Sequence, residues 1–160
     1  MTDEQRKNPI LEATKIQARA VIPIVKALER ELGKERAHDI VGNAIADNYV
    51  AWRKKRGFEE NSHPGSDGEN KPAFPVEFEV VENKADAYGH NITGCAFADY
   101  FQSIGEPEIG ALMTCGVDFA AEALIRPEWT FTRTQTRMGG AACCDFRWQR
   151  KAKTSRPSET

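Results

Sequence analysis

The run Arg133-Thr134-Gln135-Thr136-Arg137-Met138-Gly139-Gly140-Ala141-Ala142-Cys143-Cys144-Asp145-Phe146-Arg147-Trp148 carries arginines, a glutamine, an aspartate and two thiols. That is more reactive and hydrogen-bonding chemistry than a hairpin needs in order to fold. Cys95 and Cys115 lie upstream, each among apolar residues. Guanidinium groups beside thiols stabilise the thiolate, which is the nucleophile, and also hold a carboxylate. The expected chemistry is therefore a thiol-dependent reaction on a small anion. Cys144 has Arg133 and Gln135 across the expected hairpin, and Cys115 has Asp118 one helical turn away as a proton shuttle. Two plainer readings compete. Any one of the thiols is a small buried hydrophobe, and Arg133 pairs structurally with Asp145, Glu106 or Asp118.

These residues need a frame to bring them together. Residues 9 to 32 read as a helix with Ile16, Ala20, Ile24 and Ala27 as its apolar stripe, Pro23 as a kink or break, and Gly33 at its end. A second helix runs from Lys34 to Lys55 on Ala37, Ile40, Val41, Ala44, Ile45, Tyr49 and Trp52. The cluster Arg53 to Arg56 and then Gly57 suit a helix C-terminus. A polar loop follows over 57–75, with His63 exposed in it. Pro75 to Val81 alternates as a half-buried strand, and Ala85 to Thr93 continues as its neighbour, bearing His90. Cys95 to Ile104 and Pro107 to Leu124 read as helices. On the second, Ala111, Cys115, Asp118 and Glu122 align opposite the apolar face.

The last two strands are expected over Trp129–Met138 and Ala142–Arg150, turned by Gly139-Gly140. A two-residue turn puts Trp129, Phe131, Arg133, Gln135, Cys144, Phe146 and Trp148 on one face. Thr130, Thr132, Thr134, Thr136, Cys143, Asp145 and Arg147 fall on the other. The resulting fold class is α+β, an antiparallel sheet of about four strands covered by helices, with an N-terminal helical pair. The organisation is a flexible start over 1–8, one domain over 9–150 and a disordered tail over 151–160.

Bulk properties narrow the partners. A formal charge of -2 gives no reason to expect nucleic acid, and no apolar run approaches the ~20 residues of a membrane span. The polar start resembles no signal peptide, so the expected compartment is the cytoplasm and the four cysteines are expected as thiols. His90, Cys95, Cys115 and Cys144 number enough to ligate zinc. There is no Cys-x-x-Cys knuckle, however, and Cys143 and Cys144 point to opposite strand faces, so no metal or other cofactor is expected. A free strand edge leaves room for a homodimer.

One resemblance sharpens this. Gly94-Cys95, Leu112-Met113-Thr114-Cys115-Gly116-Val117-Asp118-Phe119, Arg133-Thr134-Gln135-Thr136 and Cys144-Asp145-Phe146-Arg147 together resemble the L-2-amino-thiazoline-4-carboxylic acid hydrolase family. The resemblance implies a hydrolase that opens a small anionic five-membered C=N heterocycle, a cyclic amidine, to a carbamoyl amino acid. On that reading attack comes from Cys115, Cys144 or a water beside them, Asp118 shuttles the proton, and Arg133 with Gln135 holds the carboxylate. Cys95, His90 and Arg147 are expected as further binding residues. The alternative is a small-molecule sensor domain of the vinyl-reductase type, which binds its ligand without turnover and needs a large apolar pocket.

Overall fold

The computed structural model describes residues 7–68 and 74–152. Most of the start expected over 1–8 (residues 1–6), part of the polar loop (69–73) and most of the tail expected over 151–160 (residues 153–160) lie outside the described residues.

Helix α1 (Pro9–Leu32) begins where Asn8 accepts the amides of Ile10 and Leu11 on its side chain, with Pro9 in the first turn, where its missing N–H costs nothing. The helix runs through Pro23 without a break. Gly33, at φ 81°, ends it and starts helix α2 (Lys34–Arg56). The stripe expected to be buried on α1 is instead the outer one. Ile16 and Ile24 are 64% and 58% exposed, while Leu11, Ala18 and Val25 are buried. The helix has two apolar arcs. The arc that packs is the one where Ala18 lets Phe101 approach, and the two share a core with Ala98 and Met138.

Strands β1 (Val76–Asn83), β2 (Ala87–Cys95), β3 (Trp129–Thr132) and β4 (Cys144–Arg150) form an antiparallel sheet in the order β1-β2-β4-β3. Helix α3 (Ala96–Ser103) follows β2 directly. After it comes one helical run: α4 (Pro107–Gly110), a π-turn (Ala111–Cys115) and α5 (Val117–Ile125). The architecture is α+β with an N-terminal helical pair, as the sequence predicts. His63 departs from its expected exposure. It is half-buried, donating from Nε2 to the Lys84 carbonyl (2.8 Å) and packing edge-on against Tyr88 and Trp129.

One face of the sheet is aromatic. Tyr88, Trp129 and Trp148 are buried there with Phe131 and Phe146 packed against them. Helix α5 lies across part of this face, with Phe119 5.2 Å from Phe131. At its end the buried Arg126, 2% exposed, binds both carboxylate oxygens of Glu122 and the Ser62 carbonyl. Glu122 also accepts the Trp148 indole N–H at 2.7 Å. The edge strand β1 is left open, Phe78 and Val80 being 56% and 51% exposed.

The expected hairpin is corrected. Its register holds where the strands pair, Trp129 facing Arg150 and Thr132 facing Arg147. The ladder then ends, and residues 133–143 leave it as an eleven-residue arm rather than two strands and a Gly-Gly turn. Side chains of β4 cause the divergence. Asp145 captures the amides of Thr134 and Gln135, and the Cys144 thiol takes the Arg137 amide at 3.2 Å. Local capture of this kind competes directly with a backbone ladder.

Close packing at Gly110 gives a first expected result. A Cβ there would sit 2.4 Å from Cγ of the fully buried Phe101. Gly110→Ala gains up to ~1 kcal/mol of helix propensity, but overpacking a closed core costs about 1–3 kcal/mol or more. The clash wins, and the urea midpoint falls.

Candidate active site

The helical run beside the arm supplies the centre of the site. Gly116 donates its amide to the Ala111 carbonyl at 2.7 Å, closing the wide π-turn, a departure from the α-helix that is frequent at functional sites. At the junction with α5, both terminal nitrogens of Arg133 donate to the Cys115 carbonyl at 3.2 Å, and one of them also binds the Asp118 carboxylate. The Arg133 side chain is 9% exposed and Asp118 30%. The guanidinium lies 5.1 Å from the Phe119 ring and 5.5 Å from the Phe146 ring, so two aromatic faces and one carboxylate fix its position. Of the partners proposed for Arg133 on sequence grounds, Asp118 is the one it meets.

The thiols are close to this pair but are not activated by it. Burial pushes the Cys115 thiol up to about 11; the Thr114 hydroxyl and Arg133 pull it back, and Asp118 pushes it further. Burial also raises Cys144, against the Arg137 amide and Arg133. Cys95 is raised by burial too, partly offset by the amides of Ala98 and Phe97, and it packs with Cys115 around the Phe101 core. A thiol near 11 is ionised in roughly one molecule in 10⁴ at pH 7. Iodoacetamide is therefore expected to label Cys115 slowly at pH 7 and roughly tenfold faster per added pH unit. Labelling at the rate of a free cysteine would contradict this environment.

Of the other expected members, Gln135 stays beside Arg133 on one surface hollow, while Arg147 and His90 fall elsewhere. Gln135 does not share a face with Cys144. The arm turns it outward, where its amide nitrogen lies 3.3 Å from the Cys143 sulfur. Arg147 lies on the opposite face of the sheet, donating to the His90 carbonyl and the Asn91 side chain across Gly89, so it is separated from Arg133. His90 belongs to the aromatic face, stacked 5.1 Å from Phe146. Three residues were missed as contributors: Thr114, whose hydroxyl bonds the Gly110 carbonyl and lies 3.5 Å from the Cys115 sulfur; Arg137; and Asp145. The doubled Cys143-Cys144 followed by Asp145 was the available signal, since it sets two hydrogen-bonding side chains on opposite faces where a ladder should start.

The arm walls a hollow of about 420 Å³, lined by Arg133, Thr134, Gln135, Thr136, Gly139 and Ala141. This is large enough for a small acid, and its polar lining places hydrogen-bond donors around a basic anchor. The model of the L-2-amino-thiazoline-4-carboxylic acid hydrolase family matches residues 13–148. The chain belongs to this family. The match takes in the N-terminal helices as well as the sheet, so it extends beyond the motifs of the C-terminal half. No curated protein matches the chain. Among the described residues no helix is long and apolar enough to cross a membrane, and no group of three or more His, Cys, Asp and Glu side chains is arranged to hold a metal.

Proposed function

We propose that this protein hydrolyses a carboxylate-bearing five-membered C=N heterocycle of the 2-aminothiazoline-4-carboxylate kind. The observation that carries the reading is Arg133, which lines the hollow and pairs with Asp118 behind it. A guanidinium so placed binds a carboxylate. When the substrate's carboxylate takes Arg133, the Asp118 carboxylate is released from that ion pair and acts as a base beside the ring. Asp118 then takes a proton from water as the water oxygen adds to the carbon between sulfur and nitrogen. The same carboxyl returns that proton to the ring nitrogen, and the water's second proton, lost as the hydroxyl becomes the carbonyl, goes to the leaving sulfur or to the leaving nitrogen. Cleavage of the C–S bond gives an N-carbamoyl amino acid with a free thiol; cleavage of the ring C–N bond gives an S-carbamoyl product with a free amine. Either way one water is consumed and no electrons are exchanged.

In this scheme Cys115 and Cys144 remain protonated and do not attack, because their environment disfavours the thiolate. The test is incubation with a panel of thiazolines, cyclic amidines and hydantoins, followed by assay for new carbamoyl groups or free thiols, with Cys95→Ser, Cys115→Ser and Cys144→Ser in parallel. Each folded serine variant is expected to keep turnover. Loss of turnover in one of them would restore covalent catalysis. Binding without turnover is the second reading, and it draws on the open aromatic face at Phe78 and Val80. Recovery of every panel member bound but chemically unchanged would favour it.

A further inference from the structure

Asp145 has no place in the chemistry above, yet it holds the part of the chain on which that chemistry depends. Were the β3–β4 register to continue two residues past Thr132 and Arg147, Thr134 would face Asp145. Instead the Asp145 carboxylate accepts the Thr134 amide at 2.9 Å and the Gln135 amide at 2.8 Å on one oxygen, and the Thr134 hydroxyl at 2.5 Å on the other. Three donors from two consecutive residues meet one carboxylate. The peptide planes so fixed are those that immediately follow Arg133. The arm is gripped again further on, where the Arg137 amide meets Cys144 and the Arg137 carbonyl accepts from Gln102 at 2.7 Å. Because Cys144 and Asp145 are neighbours on a strand, the arm is held from both faces of β4.

We propose that Asp145 is a positioning residue of the substrate site: by clamping the backbone at Thr134 and Gln135 it sets the Arg133 guanidinium against Asp118 and keeps the wall of the hollow in shape. This rests on the reading that Arg133 holds the substrate's carboxylate. The clamp responds to pH in a defined sense. Burial pushes the Asp145 carboxyl up, but the Thr134 hydroxyl and the amides of Gln135, Thr134 and Asp145 itself outweigh it and hold the group below its ordinary value. A depressed folded value means that the stabilisation is complete above about pH 4 and disappears as pH falls through the folded value.

The test compares wild type, Asp145→Ala and Asp145→Asn in steady-state kinetics on 2-aminothiazoline-4-carboxylate, with amide hydrogen exchange on the arm. Asparagine keeps an oxygen for the two amides; alanine keeps none. Displacing an anchor by about 1 Å costs on the order of 10²-fold. The expected result is a fall of that order in kcat/KM for Asp145→Ala, carried mainly by KM. Thr134 and Gln135 exchange faster while β2 and β4 stay protected, and Asp145→Asn recovers most of the KM. A role in bulk stability alone would speed exchange throughout the sheet and leave KM unmoved. Should Asp145→Ala fail to fold, Thr134→Val removes the hydroxyl donor alone, and KM should rise severalfold. An active wild type whose variants keep its KM overturns the inference and leaves the hydrolase reading standing. A wild type that neither binds nor turns over the acid overturns both.

Discussion

Asp118→Asn is expected to lower kcat/KM for ring opening by about 10²–10⁴-fold, the range that a positioned general base supplies. The substitution keeps the shape of the side chain and a hydrogen bond to Arg133 but removes the basic oxygen. KM for a carboxylate-bearing substrate should therefore change little or fall, because Arg133 no longer has a charged internal competitor for it. The companion variant behaves differently. Arg133→Lys loses the planar fork that reaches both the Cys115 carbonyl and Asp118, and loses the contact with the Phe119 and Phe146 rings. Its expected signature is a raised KM that disappears when a decarboxylated heterocycle is used, because that substrate has nothing for the guanidinium to hold. Initial rates over a range of substrate concentration, with and without the carboxylate, separate the two cases.

The second large effect is on the fold. Arg126→Met should cost about 3–5 kcal/mol, the penalty for breaking a buried ion pair by removing one member. Arg126 is 2% exposed. Its guanidinium ties α5 to the Ser62 carbonyl and to Glu122, and Glu122 in turn holds Trp148 of β4. Without the arginine, the Glu122 carboxylate keeps the Trp148 indole N–H but has lost its bidentate guanidinium. Glu122→Gln introduced into Arg126→Met removes that charge while leaving an oxygen for Trp148. The double variant is expected to be more stable than Arg126→Met alone. Urea denaturation of the three variants measures this, and a double variant no more stable than Arg126→Met would contradict it.

Much of the frame is legible in the residues because burial follows the alternation along β3 and β4. It does not along β1, where Phe78 and Val80, expected on a half-buried face, stay exposed. Phe131, Phe146 and Trp148 share a face because of their parity, and the register that aligns them is the one a Gly139-Gly140 turn implies, even though the turn itself is not formed. Asp118 was also among the acids named as partners of Arg133. The departures come where side chains compete with backbone. Nothing in the polarity pattern of Thr134-Gln135-Thr136 distinguishes a strand from an arm; the decision is made by the Asp145 carboxylate eleven residues from Thr134. Periodicity also does not foresee the π-turn over Ala111–Cys115, which takes more residues per turn than 3.6. The Cys115 thiol packs against the Phe101 core, while its carbonyl reaches Arg133. Ile16 and Ile24 show the complementary failure. A stripe can satisfy helical spacing without being the one that packs, and the small side chain of Ala18 decides which arc does.

The most direct measurement is a single turnover of 2-aminothiazoline-4-carboxylate in heavy-oxygen water, read by mass spectrometry of both product and protein. Direct attack by an Asp118-activated water predicts one heavy oxygen in a ring-opened carbamoyl product, no adduct on any cysteine, and loss of the product in Asp118→Asn. A folded wild-type protein that returns the heterocycle intact, or that carries it bound to Cys115 or Cys144, would contradict that account.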